Sequence, residues 1–151
     1  GAWTYYNGDS ENNDTYGKLY NWYVASSDKN ACPCGWRAAT KEDWVALSFF
    51  LGVVTAGNEI KSTGTIEEET GLWHNSSTPG TNSVGFNALP SGWGNTTNSA
   101  FVFQNYKTGF WCSNSKYGNT AEYMQINYNY ADFYFAGAYK TFAMPIRCIK
   151  N

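Results

Sequence analysis

Histidine is all but missing from this sequence: His74 stands alone among 151 residues. A Ser-His-Asp site or a His-rich metal centre has almost no material to draw on. His74 itself, in the run Trp73-His74-Asn75, reads as an exposed loop residue. Charge is scarce too. Only 15% of residues are charged and the net charge is −2, so there is no general pull toward nucleic acid or an anionic membrane. No apolar run approaches the length that spans a bilayer, so no direct membrane insertion is expected. A basic-then-apolar leader is also missing. The expected location is extracellular or at the cell surface, with any signal or lipid anchor lying outside this stretch. Neither metal nor other cofactor is expected.

What the sequence has in abundance is aromatic residues, at 19%. A chain of this length and composition can bury ample apolar area, so one ordered domain over residues 1–151 is expected. Its polar side is mostly Asn, Ser, Thr and Gly, a composition common in secreted β-rich proteins. The aromatics are concentrated in one segment, Asn127 to Ala143, which holds seven of them and no Val, Leu or Ile. A core strand normally draws on β-branched aliphatics as well. A run of Tyr, Phe, Asp, Ala and Gly is closer to a binding surface, where Tyr gives rigid amphipathic contact at low entropic cost. Strand alternation puts Tyr130, Asp132 and Tyr134 on one face and Ala131, Phe133 and Phe135 on the other. The outward set predicts that replacing Tyr130, Tyr134 and Tyr139 together by Ala barely changes stability. The alternative is that these aromatics fill a core.

The rest of the chain reads as mixed α+β. Trp3 to Tyr6 is a short strand and Asn7 to Asp14 a polar loop. Tyr16 to Ala25 is an apolar run, strand or short helix. Asn30 to Arg37 holds a Cys-Pro-Cys-Gly turn. Thr40 caps a helix, with Asp43 at the third position. Trp44, Leu47 and Leu51 follow at helical spacing and Gly52 stops it. A second short helix or turn runs near Ala56 to Lys61. Ser62 to Ser99 is loop-rich. Short strands follow at Phe101–Gln104, Gly109–Ser113, Ala121–Tyr128, Tyr130–Phe135 and Pro145–Ile149.

Four cysteines, Cys32, Cys34, Cys112 and Cys148, are an even set in a weakly charged chain, which points to two disulfides and an oxidising compartment. Cys32 with Cys34 is a poor pair, because Pro33 sits inside a tiny ring. Two pairings of the four then stay open. Zinc is disfavoured, since Cys112 and Cys148 stand apart with no histidine nearby.

The run Cys32-Pro33-Cys34-Gly35-Trp36-Arg37-Ala38-Ala39-Thr40, with Glu42-Asp43-Trp44 and Leu47, is specific. It resembles the C-P-x-G-W-x-x-P-T…E-W…L signature of the Fibrobacter succinogenes major paralogous domain. Further pieces match in order: Tyr5-Tyr6-Asn7, Tyr16 to Tyr23, Lys61-Ser62-Thr63, Gly71-Leu72-Trp73, Gly85-Phe86, Phe110-Trp111 and Ile146-Arg147-Cys148. Ala39 departs from the pattern, where the family has Pro. The Trp-Arg-x-x-Thr…Glu-x-Trp run is also similar to the helix start of formylglycine-generating enzymes. These resemblances imply a C-type-lectin-like fold with one or two helices, short antiparallel strands and long loops. The recurrent family cysteines match Cys32 and Cys148, which implies Cys32–Cys148 and, by remainder, Cys34–Cys112.

Against the family's Asn-rich C-terminal region, Tyr130, Asp132, Tyr134, Ala136, Gly137, Ala138, Tyr139 and Phe142 are each reachable from an Asn codon by changing adenines alone. C-type-lectin-like proteins are the usual targets of diversity-generating retroelements, which randomise adenines. The resemblance thus implies a variable, ligand-binding protein. The ligand-binding residues expected are Tyr130, Asp132, Tyr134, Ala136, Ala138, Tyr139, Phe142 and Trp111. The expected partner is a protein or glycan on another cell, host or phage surface. Trp93 and Trp111 are candidate sugar platforms, with core packing as the alternative. The enzyme relatives' cysteine–copper pattern is not recognisable, so no catalysis is expected. Asp9, Glu11 and Asp14, and the run Glu67-Glu68-Glu69, read as solvated acids rather than calcium or glycosidase sites. The second functional reading is a structural cell-envelope lipoprotein module without a diversified site.

Overall fold

The computed structural model describes every residue except Asn30, Thr96 and Thr97. The expected turn from Asn30 and the expected loop through Thr96 and Thr97 therefore lie partly outside the described residues. In chain order the elements are β1 (Trp3–Thr4), α1 (Asn12–Tyr16), β2 (Leu19–Tyr20), α2 (Trp22–Ala25), β3 (Trp36–Ala38), α3 (Lys41–Leu51) and α4 (Ala56–Ile60). They continue as β4 (Ser91–Asn95), β5 (Ala100–Gln104), β6 (Lys107–Tyr117), β7 (Thr120–Asn127), β8 (Phe133–Tyr139) and β9 (Cys148–Lys150). The architecture is α+β.

The longest helix begins where its caps dictate. The Thr40 hydroxyl accepts from the Asp43 N–H at 3.3 Å, and the Asp43 carboxylate accepts from the Thr40 N–H at 2.7 Å. This reciprocal box satisfies two otherwise orphaned donors. Gly52, at φ 88°, ends the helix in a backbone region that side chains resist.

Five strands form the central sheet in the order β5-β4-β6-β7-β8. Its pairings are antiparallel except β4 with β6, which run parallel through Gly92 and Thr108. Alternation along β6, β7 and β8 divides the core in two. Phe110, Cys112, Met124, Ile126 and Phe133 join Trp44 and Ile60 from the helices, with Phe135 packed alongside. The opposite face carries Trp111, Tyr123 and Ala138 and packs on Trp22, Trp93 and Met144. Full burial of each large apolar side chain contributes roughly 1.5–3 kcal/mol. Two small antiparallel ribbons, β1–β2 and β3–β9, close the molecule near its termini. The Cys32–Cys148 disulfide joins the turn before β3 to β9.

Several expectations need correction. Among the described residues there are four helices rather than one or two. Both α1, which starts in the stretch expected as a polar loop, and α2, which lies in the run left open as strand or short helix, are single turns. Such short pieces are held by tertiary contacts rather than propensity: Trp22 of α2 is buried and its indole N–H donates to the Cys112 carbonyl at 2.9 Å. The strand expected over Tyr130–Phe135 begins only at Phe133, and residues 130–132 belong to the turn before it. The expected Cys34–Cys112 disulfide is not formed. Cys34 is exposed in the turn before β3, whereas Cys112 is enclosed on the helix-facing side of the sheet with Met124 and Trp44. One thiol lies at the surface and the other under α3, so they cannot meet.

Candidate functional site

The residues expected to bind fall into two groups. Tyr130 and Tyr134 come together with ring centroids 6.2 Å apart, and Asp132 is exposed in the turn between them. Tyr139 and Phe142 pair separately, at 6.1 Å. The register of β8 against β7 is regular throughout. Tyr134 and Tyr139, five positions apart, therefore sit on opposite faces and about 16 Å apart along the strand. Tyr130, Tyr134 and Tyr139 are 48%, 36% and 56% exposed. Trp111 is not available to a ligand. It is fully buried, and its indole N–H donates to the Tyr20 carbonyl at 2.8 Å. Ala138 is buried beside it, Ala136 is half-buried, and Trp93 is buried against Phe103 and Tyr123. Core packing claims these four positions because their strands point them into the Trp22 cluster.

Beneath Tyr134 lies a set of polar side chains that the sequence reading passed over. Tyr123, Gln125 and Asn127 alternate along β7 with Met124 and Ile126. The Tyr123 hydroxyl donates to Gln125 Oε1 at 3.0 Å. Gln125 Nε2 donates to Asn127 Oδ1 at 3.0 Å and also to the Tyr134 hydroxyl. Asn127 Nδ2 donates to the same hydroxyl at 3.1 Å. Burial, more than the Tyr134 neighbour, pushes the Tyr123 pKa up to about 12, so Tyr123 stays a neutral donor and the chain has one direction. Both amide protons of Gln125 are used. The Tyr134 oxygen accepts twice, so its own proton is free to be donated elsewhere. The alternation of Tyr, Gln and Asn with Met and Ile was the available sequence signal for this polar floor.

At the other edge of the sheet, on β5, Phe103 is 43% exposed, with its ring 4.9 Å from Trp93 and 4.4 Å from the Lys107 ammonium. Phe103 has φ 67°, a left-handed backbone that costs a bulky residue of order 1–3 kcal/mol. Such strain persists only where the surroundings hold it. The turn between β7 and β8 is fixed from below. The Lys61 ammonium donates to the carbonyls of Thr78, Asn127, Tyr128 and Tyr130 at 2.5–3.3 Å. Gly57 of α4 approaches so closely that a Cβ there would stand 2.3 Å from the Asp132 carbonyl oxygen.

His74 is more engaged than an exposed loop residue. Its ring lies 4.0 Å from Tyr106, and Nδ1 is 2.6 Å from Glu67 Oε1. Hydrogen bonding from His74 holds the Glu67 carboxyl below its ordinary pKa. Among the described residues, no group of three His, Cys, Asp or Glu side chains is placed to hold a metal, and no helix is long and apolar enough to cross a membrane. The arrangement at Tyr134 offers fixed aromatic faces and a free hydroxyl donor, which suits binding.

No curated protein and no solved structure matches this chain. The positions that fix its frame, the Cys32–Cys148 link, the Thr40 cap, Lys61 and Trp111, all fall on the motifs quoted above. The model of the Fibrobacter succinogenes major domain matches residues 1–150, and the chain belongs to that family.

Proposed function

We propose that this domain is a non-enzymatic recognition module of C-type-lectin-like fold, displayed at a cell or virion surface. It binds a protein or glycan on another cell, host or phage through the aromatic surface around Tyr130 and Tyr134. The observation that carries this reading is the pair of exposed tyrosine rings above a buried, ordered amide floor. A surface whose hydrogen bonds are already oriented loses little freedom on binding. Tyr139 and Phe142 form a second, separate contact patch. The adenine-reachable residues in this segment support diversification by a retroelement. A template repeat near the gene, differing only at adenines, is expected; differences spread over all bases would rule diversification out.

Binding is tested by screening the domain on a glycan array and against immobilised intact bacteria. Any ligand retained is expected to lose at least tenfold in affinity with Tyr130→Ala and with Tyr134→Phe. Tyr130→Ala and Tyr139→Ala are expected to stay within about 0.5 kcal/mol of wild-type stability. Tyr134→Ala is not neutral, contrary to the sequence expectation for the triple change. It strips the acceptor from Asn127 and Gln125 and costs about 1 kcal/mol. A ligand whose binding ignores both Tyr130 and Tyr134 overturns the proposal.

A further inference from the structure

We propose a second binding site, separate from the tyrosine surface, in the groove between α3 and the β3–β9 ribbon. Its ligand class is a small amphipathic carboxylate, an alkyl or aryl body ending in –COO⁻. The groove has a volume of about 560 Å³, within the range of small-molecule sites. Its walls are apolar: Trp36, Leu47, Phe50, Phe86 and Ile149. Phe50 is 80% exposed at its mouth.

The charges of the groove decide what the apolar body must carry. One acid, Asp43, lines it, and that acid is spent. It takes a two-pronged ion pair from Arg37, at 2.5 and 3.0 Å, and caps α3. Two cations, Arg147 and Lys150, line the same groove. Arg147 is the informative one. Its guanidinium lies 4.0 Å above the Phe86 ring, and one nitrogen donates to the Phe86 carbonyl at 3.1 Å. No carboxylate among the described residues pairs with it. Its other N–H groups are not sealed in, since none is among the fully buried unpaired polar atoms. A half-buried guanidinium has given up part of its hydration, which favours an anion that restores the lost hydrogen bonds. Arg147 also borders a smaller pocket of about 320 Å³ with a mixed lining, Lys18, Ser91 and Thr108 beside Leu89, Phe110 and Ile146, and no acid. An arriving carboxylate meets two cations, and the one acid of the groove, Asp43, is already paired with Arg37. A bare anion leaves the apolar walls unused, and a neutral amphiphile leaves Arg147 unpaired. The geometry matches a molecule with both parts.

The test is calorimetric titration of the intact domain with decanoate, methyl decanoate, decylamine and acetate, each below micelle formation. Decanoate is expected to bind, with the ester and amine at least tenfold weaker and acetate undetectable. Arg147→Gln is expected to weaken decanoate tenfold or more, and Phe50→Ser severalfold. Tyr130→Ala is expected to leave it unchanged. Should Arg147→Gln fail to fold, Phe50→Ser and Lys150→Gln, both at exposed positions, carry the test. Absence of decanoate binding, equal affinity for decanoate and decylamine, or indifference to a folded Arg147→Gln or to Phe50→Ser overturns the site.

Discussion

Lys61 carries an ammonium into the interior with 1% of its surface exposed, and no carboxylate among the described residues pairs with it. Desolvation disfavours that charge, and burial lowers its pKa to about 8. What holds it is geometry. Four backbone carbonyls surround the nitrogen, three of them from Asn127, Tyr128 and Tyr130 at the turn that presents the tyrosines. Lys61→Met keeps the apolar stem and removes the donors. Buried carbonyls left without partners cost about 1–3 kcal/mol, so the variant is expected to lose stability on that order. Amide exchange should accelerate in residues 128–132 before it does in β7. The pH dependence has a definite sign. The folded pKa lies below the ordinary lysine value of 10.5. Between about pH 8 and 10 the unfolded chain therefore holds more protons, and wild-type stability gains from rising pH. Lys61→Met lacks that gain. Unfolding both proteins in urea at pH 8 and pH 10 isolates it, because tyrosine ionisation affects both alike. A wild-type change no more favourable than the variant's would refute the assignment.

At the scale of elements, what was legible follows how local the determining physics is. The start of α3 was readable because its cap is written within four residues, Thr40 to Asp43, and its end because Gly52 sits at positive φ. β4 was not readable. Ser91-Gly92-Trp93-Gly94-Asn95 has no alternation, and it is a strand because β5 and β6 pair with it and Gly92 admits the Val102 carbonyl at 2.4 Å from where a Cβ would be. The exposed tyrosines were legible in the composition of the C-terminal segment, but their division into two separate pairs was not. Alternation puts Phe133 and Phe135 on the face opposite Tyr134, as the structure has them, and the same alternation continued along β8 carries Tyr139 to the face away from Tyr134. The α3 cap also carries a testable charge. Hydrogen bonds from Arg37, ahead of those from Thr40, bring the Asp43 pKa down to about 2. A carboxyl whose folded pKa is depressed stabilises above its unfolded value near 4 and loses that contribution as pH falls toward 2. Asp43→Asn is expected to lower stability by about 1 kcal/mol at pH 6, the scale of a lost cap, because the exposed Arg37 side adds little. The difference should close as pH approaches 2, followed by thermal melts across that range. A difference that does not vary with pH would mean Asp43 acts through shape alone.

At the scale of the molecule, the ends are tied rather than free. β9 pairs with β3, Met144 bridges to Tyr20, and Cys32–Cys148 links positions 116 apart. The pairing of Cys32 with Cys148 was legible only through family resemblance, since spacing alone left two arrangements. The remaining cysteines show why an even count is an unreliable guide. Cys112 went to the core, where burial pushes its thiol up to about 12 and leaves it poorly reactive. Cys34 stayed at the surface. A bridge closing so long a loop stabilises by about 5 kcal/mol through the entropy of the unfolded chain, a large share of the 5–15 kcal/mol typical of a domain. Cys32→Ser with Cys148→Ser is therefore expected to melt far below wild type and to release β3 and β9 first. Mass-resolved alkylation without reductant separates the two thiols from the bridged pair. The native protein should take one label, at Cys34, and the denatured but unreduced protein a second, at Cys112. Zero labels in the denatured protein would restore the Cys34–Cys112 bridge and force the two residues together. Four would dissolve the Cys32–Cys148 link on which the closure of the domain depends.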